Sequence, residues 1–363
     1  MTRPTNPSPP DGTPQEAKPK RRPRYAGRYP RRFEERYKEL DADAYPGMQE
    51  HVRAKGRTPA GAHVPVLLAE IMAFLKPAPG DTVVDCTVGY GGHAQEFLRR
   101  IGPAGRLIGL DVDAVHLDRA RRRLGEGPVT LVESNFAAVD RVISSCGLDG
   151  CDALFADLGP SSMQLDDPAR GFSYKRDGPL DMRLDPNLPR TASDLLMAMT
   201  TEELAAALTE LADEPDARRI ATRIAAARSL GPITTTSRLV GLVLEAKRIT
   251  RAEWQKKARA EPGTLHPAAL TFQALRMLVN DELPALEQLL RVAPACLRPA
   301  GRFGVTSFHS GEDRLVKRAL REGLRAGIYA AVSDDPIRPS PEEIRSNPRS
   351  ASGKFRWAIR ATG

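Results

Sequence analysis

From about residue 64 onward, apolar positions recur in two alternating patterns. A stripe at helical spacing in VPVLLAEIMAFL leads into the β-branched run TVVDCTV, a glycine loop and a second amphipathic stretch, AQEFLRRI. Short apolar runs follow at RLIGLDVD, VTLVESN and ALFADLG, with helical segments such as HLDRARRRL between them. Continuous apolar runs suit strands buried on both faces, so the rhythm predicts a parallel, doubly wound α/β sheet. It breaks between about Asp185 and Gly263, where TASDLLMAMTTEELAAALTEL, PDARRIATRIAAARSL and TTSRLVGLVLEAKRI are helical in pattern and no strand is convincing. The α/β pattern resumes with ALTFQALRMLVNDELPALEQLL, read as one long helix, then the strand GRFGVTSF, the helix EDRLVKRALREG and two last strands, IYAAVSD and FRWAIRA. The expected organisation is a flexible arm over 1–60, a first α/β part over 61–184, an inserted helical substrate domain over 185–263, and a second α/β part over 264–363.

Composition sharpens this picture in one place. At 363 residues, 41% hydrophobic and 28% charged, the chain supports a large core and is not disordered throughout. The net charge of +8 is unevenly spread: the first 60 residues hold 14 Lys or Arg against 8 Asp or Glu, so +6 belongs to the arm and +2 to the body. The arm also carries ten of the 31 prolines and the stretch KPKRRPRYAGRYPRR, and reads as an electrostatic tether to a polyanion rather than an import presequence. No apolar run is long enough to span a bilayer, so a cytoplasmic protein with no membrane partner is expected. Cys86, Cys146, Cys151 and Cys296 form no C-x-x-C pair and read as reduced thiols, with no metal site. The pattern leaves a homodimer open.

The candidate chemistry gathers at strand ends. The first βα turn, DCTVGYGGH, places Gly89, Gly91, Gly92 and His93 where a nucleotide-like ligand can approach the backbone. Asp111 ends the next strand twenty residues after Gly91, where a carboxylate can accept both ribose hydroxyls. The loop lacks the third glycine of the dinucleotide fingerprint and there is no phosphate-binding lysine loop, which weakens a nicotinamide oxidoreductase. A cofactor with ribose and no pyrophosphate fits best, and S-adenosylmethionine is the obvious choice. Phe136, after the third strand, is either a ring stacked on adenine or a core residue. Asp157 ends the fourth strand, and the loop after it, RGFSYKRDGPLDMRLD, interleaves Arg170, Lys175, Arg176 and Arg183 with Asp177, Asp181 and Asp185 beside Phe172 and Tyr174. Such a loop either holds a substrate beside the cofactor or is a salt-bridged surface.

Together HVPVLLAE, DCTVGYGGH, ADLGPSSMQLDDPARGFSYKRDGPLDMRLDP, HPAALTFQALRMLVN, SFHSGEDRLVKR and RPSPEEIRSNPRSASGKFR resemble the 16S ribosomal RNA (cytosine-N4) methyltransferases, in order and at matching spacing, from about residue 62 to the end. The resemblance implies a Rossmann-like class I methyltransferase with an inserted helical domain. Its reaction would be methylation, from S-adenosylmethionine, of the exocyclic amine of a decoding-centre cytosine in the small ribosomal subunit. It further implies cofactor contacts from Gly91, Gly92, His93, Asp111, Phe136, Asp157 and Gln164. The chain departs from the family pattern at Pro160, Gly311, Ala351 and Gly353, none of which is a polar group assigned to chemistry.

Methylating this amine asks mainly for alignment and for an acceptor that takes up its hydrogen as charge develops. Asp157 is the first choice for that acceptor, with His309 and Ser310 as the second group reaching the crevice. Lys175, Asp181, Arg183 and Arg349 are expected to hold substrate; the basic stretch 247–259 and the C-terminal Arg338, Arg345, Arg349, Lys354 and Arg356 either hold RNA backbone or are a solvated helix face and tail. A protein or small-molecule methylase and a non-catalytic RNA-binding assembly factor are the rival classes.

Overall fold

The computed structural model describes residues 65–261 and 263–362; the basic arm lies outside the described residues. The elements run α1 (Leu68–Leu75), β1 (Thr82–Asp85), α2 (Gly92–Ile101), β2 (Arg106–Asp111), α3 (Ala114–Leu124), β3 (Val129–Glu133), α4 (Val139–Ser145), β4 (Cys151–Asp157) and α5 (Ser162–Asp166). The helical stretch follows as α6 (Ala192–Ala198), α7 (Thr201–Ala212), α8 (Ala217–Arg228), α9 (Thr236–Lys247), α10 (Arg251–Ala260) and α11 (Ala269–Val279). The chain closes with α12 (Glu282–Cys296), β5 (Leu297–Ser307), α13 (Ser310–Arg325), β6 (Tyr329–Val332), α14 (Pro341–Ser346) and β7 (Lys354–Arg360).

The strands form one seven-stranded sheet in the order β3-β2-β1-β4-β5-β7-β6. Strands β1 to β5 pair in parallel; β7 runs antiparallel between β5 and β6. The doubly wound, Rossmann-like α/β fold expected from the sequence is therefore present, with one reversed strand added near its edge. Successive strand residues serve opposite faces, as a doubly covered sheet demands. Val83, Leu107 and Phe155 pack with α1, α2 and α3, while Val84, Ile108 and Leu154 pack with α4, α12 and α13. Strand order reverses direction between β1 and β4, and ligands of such sheets lie beyond the carboxyl ends of the strands at that point.

The helical stretch has a core of its own. It draws on Leu195, Leu204, Leu208, Ile220, Ile224 and Leu239, and also on Phe172, Leu180 and Met182 before it and Phe272 and Leu275 after it. Within it, Glu214 is fully buried, pairs with Lys247 Nζ at 2.7 Å, and accepts from Thr271 Oγ1 at 3.3 Å. That pair ties the α7–α8 corner to α9 and α11. The segment read as one long helix is two. Asn280 caps the first helix through its N–H to Arg276 O (3.1 Å), its side chain accepts from Leu184 N (2.7 Å) and donates to Met182 O (2.8 Å), and Asp281 turns left-handed at φ 50°. The apolar period continues across this break, so α11 joins the helical core while α12 covers the sheet.

Candidate functional site

Strand β1 ends in Asp85, whose side chain is buried and accepts from Thr87 N at 3.1 Å. The chain then turns through Gly89 at φ 51° and Gly91 at φ 76° before entering α2. A side chain at Gly91 would be strained by that φ, and its Cβ would lie 3.4 Å from Leu124 Cγ. The loop is moored to the end of β2: Gly89 N donates to Asp111 Oδ2 at 2.9 Å, and Asp113 N to Asp111 Oδ1 at 2.9 Å. His116 bridges Asp111 Oδ2 and Ser161 Oγ, 3.2 Å from each, and its ring packs against Tyr90. Asp111 Oδ2 thus already faces two donors, while Oδ1, with one, keeps a lone pair for a ligand hydroxyl.

Asp157 ends β4 on the far side of this loop, its backbone N–H donating to Thr87 Oγ1 at 2.7 Å. Its Oδ1 is buried with no hydrogen-bond partner, although the side chain as a whole is 21% exposed. His93 Nδ1 stands 3.8 Å from Asp157 Oδ2, and His93 Nε2 lies 3.2 Å from Val66 O. A carbonyl can only accept, so Nε2 carries a proton. Burial pushes the Asp157 carboxyl well above the carboxylate range, reinforced by the like charges of Asp85 and Glu312. Burial likewise raises Asp85, to about 7, with a smaller contribution from Asp111 and a hydrogen bond from Thr87 opposing. Two acids that resist ionising thus flank a glycine loop at the switch point of the sheet. Such a site favours a ligand that brings positive charge.

The other sequence candidates fall into three groups. Gln164 is buried, but it faces the β2 side: its Nε2 donates to Asp113 Oδ2 at 2.9 Å and its Oε1 completes a capping box with Ser161. Phe136 opens a short turn after β3 and packs, half-buried, against the apolar core of the sheet. Arg170, read as part of a substrate loop, instead pairs with Asp113 Oδ2 at 2.9 Å and caps the Arg183 and Leu184 carbonyls. Asp181 and Arg183 bind each other in a two-pronged pair, and Arg183 also donates to Pro186 O and Leu188 O, so both hold the loop together. Lys175 is exposed beside Tyr174. Arg349 reaches from the C-terminal segment to α5, binding Ser162 O at 3.1 Å and Asp166 Oδ2 at 2.9 Å.

His309 and Ser310 do lie at the end of β5. His309 Nδ1 accepts from Glu312 N at 3.4 Å and caps α13, while Nε2 stands 3.1 Å from Glu312 Oε1. Ser310 is the exposed first residue of α13. Burial acts to raise Glu312, but His309, the Phe308 amide and Arg276 outweigh it and hold the carboxylate ionised. Glu282, His309 and Glu312 bring a potential metal-ligand atom each within 4.8 Å of one another. Arg276 already supplies the countercharge there, binding both Glu282 oxygens at 2.7 and 2.8 Å.

Asp85, Arg276 and Glu312 are the polar residues that pattern alone does not single out. Only Arg276, set inside the apolar stretch ALTFQALRMLV, carries a local signal, since an unpaired charge there would be costly.

Comparison with known proteins decides the family. The model of the MraW methylase family matches residues 60–361. The chain belongs to the MraW methylase family. Among its relatives, a protein of Agathobacter rectalis described as ribosomal RNA small subunit methyltransferase H 1 is 41% identical over 353 residues, spanning 96% of this chain and 99% of its own. A protein of Lachnoclostridium phytofermentans with the same description is 43% identical, spanning 96% and 94%. One of Symbiobacterium thermophilum, described as ribosomal RNA small subunit methyltransferase H, is 44% identical over 315 residues, spanning 82% and 96%. This MraW-family chain is an S-adenosylmethionine-dependent methyltransferase. Its residues fit that cofactor: the positive-φ glycine turn gives backbone access, Asp111 offers a carboxylate oxygen to a ribose, and Asp157 ends the neighbouring strand with a buried oxygen that has no hydrogen-bond partner.

Proposed function

We propose that the protein methylates the exocyclic N4 amine of a decoding-centre cytosine in the 16S rRNA of the small ribosomal subunit. The family and the descriptions of its relatives support ribosomal RNA as substrate. The observation that carries the chemistry is Asp157, an acid at a strand end with a buried, unpartnered oxygen beside the glycine loop. Bound there, S-adenosylmethionine supplies an electrophilic methyl group on a cationic sulfur that departs as a neutral thioether.

The cytosine amine is a weak nucleophile, since its lone pair is delocalised into the ring. Asp157 answers this in two ways. Beside a cation its carboxylate form is favoured, and it accepts a hydrogen bond from the amine, drawing electron density back to nitrogen. Once the methyl group has been passed to nitrogen, the positive charge that favoured the carboxylate would be gone from beside Asp157. Burial, Asp85 and Glu312 then raise Asp157 again, so it takes the proton the amine must lose. His93 stands behind Asp157 with its Nδ1, and Gly91 and Gly92 line the cofactor side with Gly89 and Asp111. His309 acts as a positioning residue: it caps α13 and fixes Glu312, one of the charges that tunes Asp157.

Asp157→Ala tests this reading. Small subunits lacking the mark should be methylated about 10²- to 10⁴-fold more slowly, the usual worth of a general base. Binding of S-adenosylhomocysteine, measured by calorimetry, should survive. Nucleoside mass spectrometry should find N4-methylcytidine with the unaltered protein; a different methylated nucleoside, or none, would end the proposal.

A further inference from the structure

Helix α10 is unusual among the described residues: it is the only helix longer than two turns that has no buried residue. Short helices in proteins are stabilised chiefly by the face they bury, so one with no fully buried residue contributes little to the fold. It meets the body through Trp254, whose ring stands edge-on to His266 at 5.2 Å. His266 in turn lies nearly flat on Tyr174, at 4.7 Å and 17°, and Phe272 braces Tyr174 edge-on at 5.8 Å. The three outer rings are half-buried, and around them Lys175, Arg251, Lys256, Lys257 and Arg259 are exposed. His266 stays neutral, its pKa lowered to about 4 by burial and by Lys175, Arg251 and Lys247.

We propose that α10 and the Trp254–His266–Tyr174 shelf form a docking surface for single-stranded RNA flanking the target base. The inference rests on the reading of the chain as an rRNA methyltransferase and adds where the RNA is held. Neutral aromatic faces stack on bases, and exposed cations pair with phosphates. An acidic peptide would need the cations alone and leave the rings without purpose. The shelf also adjoins the crevice. Arg176 and Arg349 both bind Asp166 at the end of α5, which begins five residues after Asp157, and the Arg349 charge is felt at Tyr174. RNA crossing the shelf is thereby delivered to Asp157 with the target base free to leave its stack.

The protein has two tryptophans, and Trp357 is stacked on Phe74 within the α/β part. In a Trp357→Phe background, emission therefore reports Trp254 alone. Titration with a single-stranded RNA of about a dozen nucleotides should quench it, less so at high salt. In the otherwise unaltered chain, Trp254→Ala should raise KM for unmethylated small subunits about ten-fold, with kcat and the melting temperature nearly unchanged. Lys256→Glu combined with Lys257→Glu should raise KM similarly and flatten its salt dependence. Normal KM in all these variants would overturn the inference while leaving the rRNA reading intact, whereas an unaltered protein that methylates no RNA would overturn that reading first. Raised KM on assembled subunits without quenching by RNA would also overturn it and assign α10 to a ribosomal protein instead.

Discussion

The crevice around Asp157 and the surface around Trp254 are built on opposite physical terms. The crevice gathers Asp85, Asp111 and Asp157 at the ends of parallel strands, where burial resists the ionisation of Asp85 and Asp157 and a cation is welcome. The surface carries exposed cations on a helix with no fully buried residue. One region gains chemistry from rigidity, since two packed faces of the sheet fix the loop that carries it. The other trades packing for access, as a surface for a large and irregular polyanion must. Between them runs the α11–α12 break, with Arg276 on one side and Glu282 on the other. The difference teaches how, on the proposed reading, a packed core would set where methyl transfer happens and the helical part what is brought to it.

The largest effect should come from cutting that joint. Arg276→Ala strips the nearly buried Glu282 of its two-pronged cation and leaves Glu312 to His309 and the Phe308 amide alone, a loss of about 3–5 kcal/mol. Denaturant unfolding should show it, and Arg276→Lys should recover only part, because one ammonium cannot make both hydrogen bonds to Glu282. Next in size is Gly91→Val. A β-branched residue at φ 76°, with its Cβ pressed on Leu124, must reshape the turn. Binding of S-adenosylhomocysteine should weaken at least ten-fold, while RNA quenching of Trp254 persists, separating the two regions cleanly.

A smaller effect distinguishes the two regions by pH. Asp85 sits at about 7 in the folded chain against an ordinary 3.8, so the folded protein holds a proton that the unfolded chain has released. The sign follows: stability from this group is fully present below about 4 and is lost as pH rises through about 7. A cationic ligand prefers the carboxylate, so S-adenosylmethionine should bind more tightly as pH rises toward 7 and level off above it. Calorimetry should find a shallower slope for S-adenosylhomocysteine, which lacks the sulfonium charge, and a flatter one again in Asp85→Asn. RNA affinity, which depends on lysines and arginines, should barely change over the same range.

The α/β half was legible in the sequence because strands buried on two faces leave unmistakable apolar runs, and because Asp111 and Asp157 terminate two of them. Asp85 ends a third run, yet nothing local distinguishes an acid that will be buried from one that caps a turn. Asp181 and Arg183 illustrate the converse: their alternation looked like substrate chemistry, and the geometry uses them on each other. The break at Asn280 was invisible because apolar spacing continues through it and its cause lies about a hundred residues away, at Met182 and Leu184. The basic stretch 247–259 was visible as charge, but not that its helix would have no fully buried residue or that Trp254 would stand over a histidine from a later segment.

The smallest expected effect is the most pointed test of the contrast. Thr250 caps α10, accepting from Glu253 N, with Glu253 answering at Thr250 N in a capping box. Thr250→Ala should cost about 1 kcal/mol of that helix. Since α10 has no fully buried residue, global unfolding should not register the loss, whereas hydrogen exchange along Arg251–Ala260 should speed up by roughly five-fold. A lowered global melting temperature would mean that α10 is part of the cooperative core, and the division between a rigid crevice and an accessible surface would have to be redrawn.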